Sequence, residues 1–146
     1  ILSDTLKRGS YDLVLSLGLA YSREVISLER VALNLIDDGV RKDNKGRIIE
    51  DKQILSEGAN AYFTNLPLKK INLALNEAGL KSELSLSAGS YVCNLVMYRL
   101  LHFQNSFSPS MKAGFIHIPP DESLKRDSKW TLDELEEAVH VVINNC

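Results

Sequence analysis

Residues 81–119, "KSELSLSAGSYVCNLVMYRLLHFQNSFSPSMKAGFIHIP", change their hydrophobic period twice, and that change decides the fold class. "KSELSLSAG" alternates apolar and polar side chains with the two-residue period of a strand and runs out into Ala88 and Gly89. "YVCNLVMYRLLHF" takes up helical spacing, and "KAGFIHIP" returns as a short apolar strand stopped by Pro119 and Pro120. Strand, helix and strand in succession are the repeating unit of an α/β protein, whose helices pack on the sheet they connect.

The flanking chain extends the pattern. "YDLVLSLGLA" (11–20) is a leucine-rich run ending at Gly18, predicted as a strand buried on both faces and followed by a turn. "SLERVALNLID" (27–37) predicts a second strand, with Val31, Leu33 and Leu35 alternating with Ala32, Asn34 and Ile36. Residues 37–59 are polar and glycine-punctuated and read as a long surface excursion, a kind of connection that is usually functional or mobile. "NLPLKKINLALNEAGL" (65–80) predicts a helix with Pro67 at its start, apolar Leu68, Ile71, Leu75 and Ala78, and Gly79 as its stop. "TLDELEEAVHVVIN" (131–144) predicts a closing helix with Thr131 and Glu134 spaced as a capping box. No internal repeat interrupts this order. The expectation is an α/β fold, a mostly parallel twisted sheet with helices on both faces. The chain starts inside a helix-like stretch, "ILSDTLKRG", which points to a segment upstream.

Composition narrows the function. The 146 residues are 45% hydrophobic and 25% charged, enough apolar material for one core. Seventeen basic against nineteen acidic residues give a net charge of −2 with no long block of either sign, which argues against nucleic acid or an anionic membrane as partner. No apolar run approaches the ~20 residues of a membrane span, and the first residues lack the features of a signal peptide. A cytoplasmic protein is the simplest reading. Cys93 and Cys146 form neither a disulfide framework nor a zinc-thiolate pattern, so no metal or other cofactor is expected.

Cys93 then becomes the chemical question. It opens a helix just after a strand, where ligands bind in parallel sheets and where backbone N–H groups and the helix dipole favour a thiolate. His117, at the end of the next strand, is the candidate base; ends of adjacent strands lie ~4.8 Å apart, so the two side chains are expected to meet across consecutive strand ends. Glu29, a charge opening an apolar stretch, is the candidate carboxylate to orient the imidazole. Each residue also has a plainer reading: Cys93 as a small core hydrophobe, His117 as a satisfied core histidine, and Glu29 as an ion-pair partner of Arg30. His102 and His140 fall within helical patterns and are weaker candidates.

Four ordered stretches, "SLGLAYSREVISLERVALNLID", "AYFTNLPLKKI", "SAGSYVCNLVMY" and "GFIHIP", resemble the pyroglutamyl peptidase I (pyrrolidone-carboxylate peptidase) family from about Tyr11 onward. The resemblance implies a cysteine peptidase that removes N-terminal pyroglutamate from peptides, on a phosphorylase/hydrolase-like three-layer sandwich. By motif position it implies Glu29 as triad acid, Cys93 as nucleophile and His117 as base. It implies substrate-binding roles for Tyr91 and Val92, which wall the pocket, and for Val40. The expected organisation is a single α/β peptidase domain over 1–146 that lacks the family's N-terminal strand–helix–strand portion. Its partners would be peptides with N-terminal pyroglutamate, with homo-oligomerisation left open. A second reading keeps the fold but makes the chain a weak or inactive member acting as a binding or assembly module.

Overall fold

The computed structural model describes residues 2–146. In chain order the elements are α1 (Leu2–Arg8), β1 (Leu13–Leu19), β2 (Ile26–Glu29), β3 (Val31–Leu33), β4 (Ile36–Asp38), β5 (Ile49–Lys52), β6 (Ala61–Phe63), α2 (Leu68–Glu77), β7 (Ser82–Ser85), α3 (Val92–Phe107), β8 (Lys112–Ile118) and α4 (Leu132–Asn144). The central sheet has the order β1-β8-β2-β7. β1 runs parallel to β8 and β2 parallel to β7, while β2 and β8 meet antiparallel. The sheet is thus mostly parallel, two parallel pairs joined at one antiparallel seam.

Alternation along the strands assigns the faces. In β8, Ala113 and Phe115 join the core built by α3, with Met97, Tyr98, Leu100 and Leu101, and by Leu6 of α1. Ile116, with Ile26 and Leu28 of β2, joins the opposite core against Ile71 and Leu75 of α2 and Leu135, Ala138 and Val142 of α4. Helices therefore cover both faces, giving three layers. Full burial of each such side chain is worth about 1.5–3 kcal/mol, and that is why the apolar stripe of each helix decides where it packs.

Local signals explain the helix ends. Pro67 caps α2, and Gly79 ends it with φ of +81°, a left-handed conformation that favours glycine. Thr131 and Glu134 form both hydrogen bonds of the capping box at α4.

The structure departs from the sequence pattern in three places. β1 is an edge strand whose Leu17 and Leu19 are 47% and 50% exposed, not a strand buried on both faces. Gly18 lies inside it, opposite His117, and does not begin a turn. The single strand expected over 27–37 is three short strands in three sheets, because β3 pairs with β6 and β4 with β5. Two buried asparagines hold these breaks: Asn34 accepts from the backbone of Ile54 and Leu55, and Asn94 donates to the carbonyls of Leu33 and Leu35 while accepting from Leu33 N–H. The 37–59 excursion accordingly contains the β4–β5 hairpin.

Candidate active site

The antiparallel seam sets the first two side chains. Ser27 lies opposite His117 and Glu29 opposite Phe115, so Glu29 and His117 are diagonal neighbours on the α3 face of the sheet. His117 Nδ1 is 2.7 Å from Glu29 Oε1, and because an ionised carboxylate only accepts, the imidazole donates. Both residues are buried, Glu29 completely. A carboxylate in that position needs compensating charge, and Arg23, from the β1–β2 loop, supplies it at 2.7 Å from the same oxygen. The ion-pair partner is Arg23 and not Arg30.

On the other side of His117, Gly18 makes room. A Cβ there would lie 2.7 Å from the Phe115 ring and 3.1 Å from His117 Cδ2. The Phe115 and His117 rings touch in a tilted arrangement, with centroids 4.9 Å apart and planes at 58°, so a push on one moves the other. Gly18→Ala is expected to destabilise the chain by about 1–3 kcal/mol through overpacking, read as a lower urea midpoint; an unchanged midpoint would mean that β1 yields freely.

Cys93 reaches this cluster by the loop 86–91. Gly89 takes φ of +82°, Ser90 Oγ donates to the carbonyl of Asp37 at 2.7 Å, and Asp37 N–H donates back to the carbonyl of Ser90. Asn94 then pins the first turn of α3 to β3. Cys93 is half-buried against the α3 core, and its thiol interacts with His117. The two do not come from consecutive strand ends, since β2 separates β7 from β8 and β8 runs against β7. They meet because α3 lies on the face to which alternation assigns His117.

Burial alone pushes the His117 imidazole down, but hydrogen bonding to Cys93 and then to Glu29, with the charges of both, raises it from 6.5 to about 9. Near neutral pH the ring is therefore an imidazolium between Glu29 and Cys93. Cys146, by contrast, is pushed up by burial, an effect only partly offset by Lys112 and Lys70. Iodoacetamide at pH 7 is expected to modify Cys93 at least tenfold faster than Cys146, as peptide mapping would show; equal rates in the folded chain would refute the pairing of Cys93 with His117.

Tyr91 and Val92 stand at the start of α3, Tyr91 half-buried and Val92 exposed. The Arg41 guanidinium lies over the Tyr91 ring at 5.0 Å and pairs with Asp38. Val40, in the same loop and next to Arg41, is 84% exposed. His102 bonds to Tyr62 and His140 lies near Glu136, both away from Cys93. Among the described residues no group of three or more His, Cys, Asp or Glu is placed to hold a metal ion, and no helix is long and apolar enough to cross a membrane.

The chain matches the pyroglutamyl peptidase family over residues 1–144. The chain belongs to that family. Pyrrolidone-carboxylate peptidases from Thermosipho africanus and Alkaliphilus oremlandii are 38% and 42% identical over 95% and 82% of the chain. The chain spans 69% of the first relative's length and 55% of the second's. Among solved structures, a mutant pyrrolidone carboxyl peptidase from Pyrococcus furiosus superposes with a TM-score of 0.91 at 37% identity, covering 98% of this chain and 72% of that one. The pyroglutamyl peptidase I from Bacillus amyloliquefaciens gives 0.89 at 31% identity, with 99% and 70% covered. The family likeness and the central sheet agree with the expected α/β class. Arg23, Gly18 and the helix-pinning Asn94 are the contributors to the site that the sequence pattern did not single out.

Proposed function

We propose that the chain is a cysteine peptidase that removes N-terminal pyroglutamate from peptides, with Cys93 as nucleophile, His117 as general acid and base, and Glu29 as the carboxylate that orients it. The observation that carries this reading is the 2.7 Å contact of buried Glu29 with a His117 that also faces Cys93. The Cys93 thiolate attacks the pyroglutamyl carbonyl, forming a C–S bond and an oxyanion. As the C–N bond breaks, the His117 imidazolium gives its proton to the departing amine. Neutral His117 then takes a proton from water, whose oxygen attacks the thioester; the C–S bond breaks and the thiolate returns. The N-cap of α3 makes no side-chain hydrogen bond, so first-turn N–H groups beside Cys93 are suited to receive the oxyanion.

The lactam is uncharged, and the half-buried Tyr91 with the neighbouring Val92 offers it an apolar wall. A reducing compartment such as the cytoplasm suits a site whose thiol must stay free. The test is turnover of a pyroglutamyl fluorogenic amide by the purified chain beside the prolyl and glutaminyl amides. Release from the pyroglutamyl amide alone supports the reading. Equal release from all three would make it a less selective thiol hydrolase, and release from none would favour a binding module.

A further inference from the structure

Arg23 carries more than a neutralising charge. Its Nη1 lies 2.7 Å from Glu29 Oε1, the oxygen that also receives His117 Nδ1–H. Its Nη2 donates to the carbonyl of Ser87 at 2.9 Å, in the loop that leads to Cys93. Glu29 Oε2 is buried and has no hydrogen-bond partner among the described residues, so both cations act on one oxygen. The arginine side chain is 25% exposed, which keeps its charge weakly screened.

We propose that Arg23 is a positioning residue of the site, which clamps the loop before Cys93 to Glu29 and, by sharing Oε1, limits how tightly Glu29 holds the proton of His117. The reasoning is electrostatic. An imidazolium beside an uncompensated buried carboxylate in a low-dielectric setting keeps its proton to high pH, and such a ring is a poor donor to a leaving amine. A second cation on the same oxygen weakens that hold. The guanidinium suits both tasks because one nitrogen, Nη2, makes a directed hydrogen bond to Ser87 while the other, Nη1, stays buried against Glu29 as a charge contact without hydrogen-bond geometry, a division that a single ammonium does not offer. The groups that face His117 are Glu29 from β2, Cys93 from α3 and the uncharged Gly18 from β1, with Arg23 behind Glu29.

The proposal rests on the triad reading above, and its test is chosen to be separable from it. In chains carrying isotope-labelled histidine, the NMR titration midpoint of His117 is compared among wild type, Arg23→Gln and Arg23→Lys, with amide hydrogen exchange followed over residues 86–91. Arg23→Gln is expected to move the midpoint up by about one pH unit and to speed exchange in the loop. Arg23→Lys is expected to leave the midpoint near wild type while still loosening the loop. A midpoint in Arg23→Gln at or below that of wild type overturns the proposal. If Arg23→Gln fails to fold, Arg23→Lys decides: loop exchange as slow as in wild type overturns the clamp, and faster exchange with an unmoved midpoint supports it. None of these readouts needs turnover, so a wild-type chain that leaves the pyroglutamyl amide intact refutes the peptidase reading alone.

Discussion

Cys93→Ala is expected to abolish turnover of the pyroglutamyl amide, by at least ~10⁵-fold, because the remaining groups can only steer water at the carbonyl. The fold should hardly notice. Cys93 is half-buried, unbridged and close to alanine in size, so the unfolding free energy should change by less than about 1 kcal/mol. A matched Cys146→Ser chain should keep the wild-type rate, which separates loss of the nucleophile from loss of any thiol. Wild-type turnover by a folded Cys93→Ala chain would end the thioester mechanism. The same variant also reports on His117: without the thiol, the largest of the interactions that raise its imidazole is gone, and its titration midpoint should fall from about 9.

Glu29→Gln should lower turnover by ~10³–10⁴ with little effect on substrate binding, since the corresponding change in a serine-protease triad leaves geometry intact and costs about 10⁴. The amide neither stabilises the imidazolium nor balances Arg23, which now faces His117 with its charge unopposed. The His117 midpoint should therefore fall in this variant, the reverse of its movement in Arg23→Gln. Stability supplies a second check with a definite sign. An imidazole raised from 6.5 to about 9 on folding stabilises the native state fully below 6.5, and that contribution is lost as the pH rises through about 9. Glu29→Gln should accordingly destabilise the chain more at pH 6 than at pH 10, as urea midpoints at the two values would show. A carboxylate serving only as a structural partner of Arg23 would give a rate close to wild type.

Much of this site is legible in the amino-acid sequence because its members sit at positions with strong local signals. Cys93 follows a run of small residues at a change of hydrophobic period, and His117 ends an apolar strand bounded by prolines. The helices at 68–77 and 132–144 are marked by Pro67, Gly79 and the Thr131–Glu134 pair. The path from 26 to 38 is not legible, because alternation reports which side chains share a face and says nothing about where a strand changes partners. The changes are made by Asn34 and Asn94, whose partners lie 20 to 61 residues away. Arg23 gives no signal, since a charged residue in a polar loop is ordinary. Gly18 does give one: a glycine inside a strand pattern often marks close approach of something large, here the Phe115 and His117 rings.

The antiparallel seam between β2 and β8 has a kinetic consequence. Glu29 and His117 are 88 residues apart, so their contact closes one of the longest loops in the chain, and a slip of one residue in that pairing would turn His117 toward α2 and α4. Helices α2, α3 and α4 form from neighbours in sequence and need none of this. During refolding from denaturant, helical circular dichroism should therefore recover before the fast alkylation of Cys93 does. The thiol acts as a clock for this long-range pairing, and a refolded sample with full helix content but sluggish labelling would be one in which the two halves of the sheet have docked out of register.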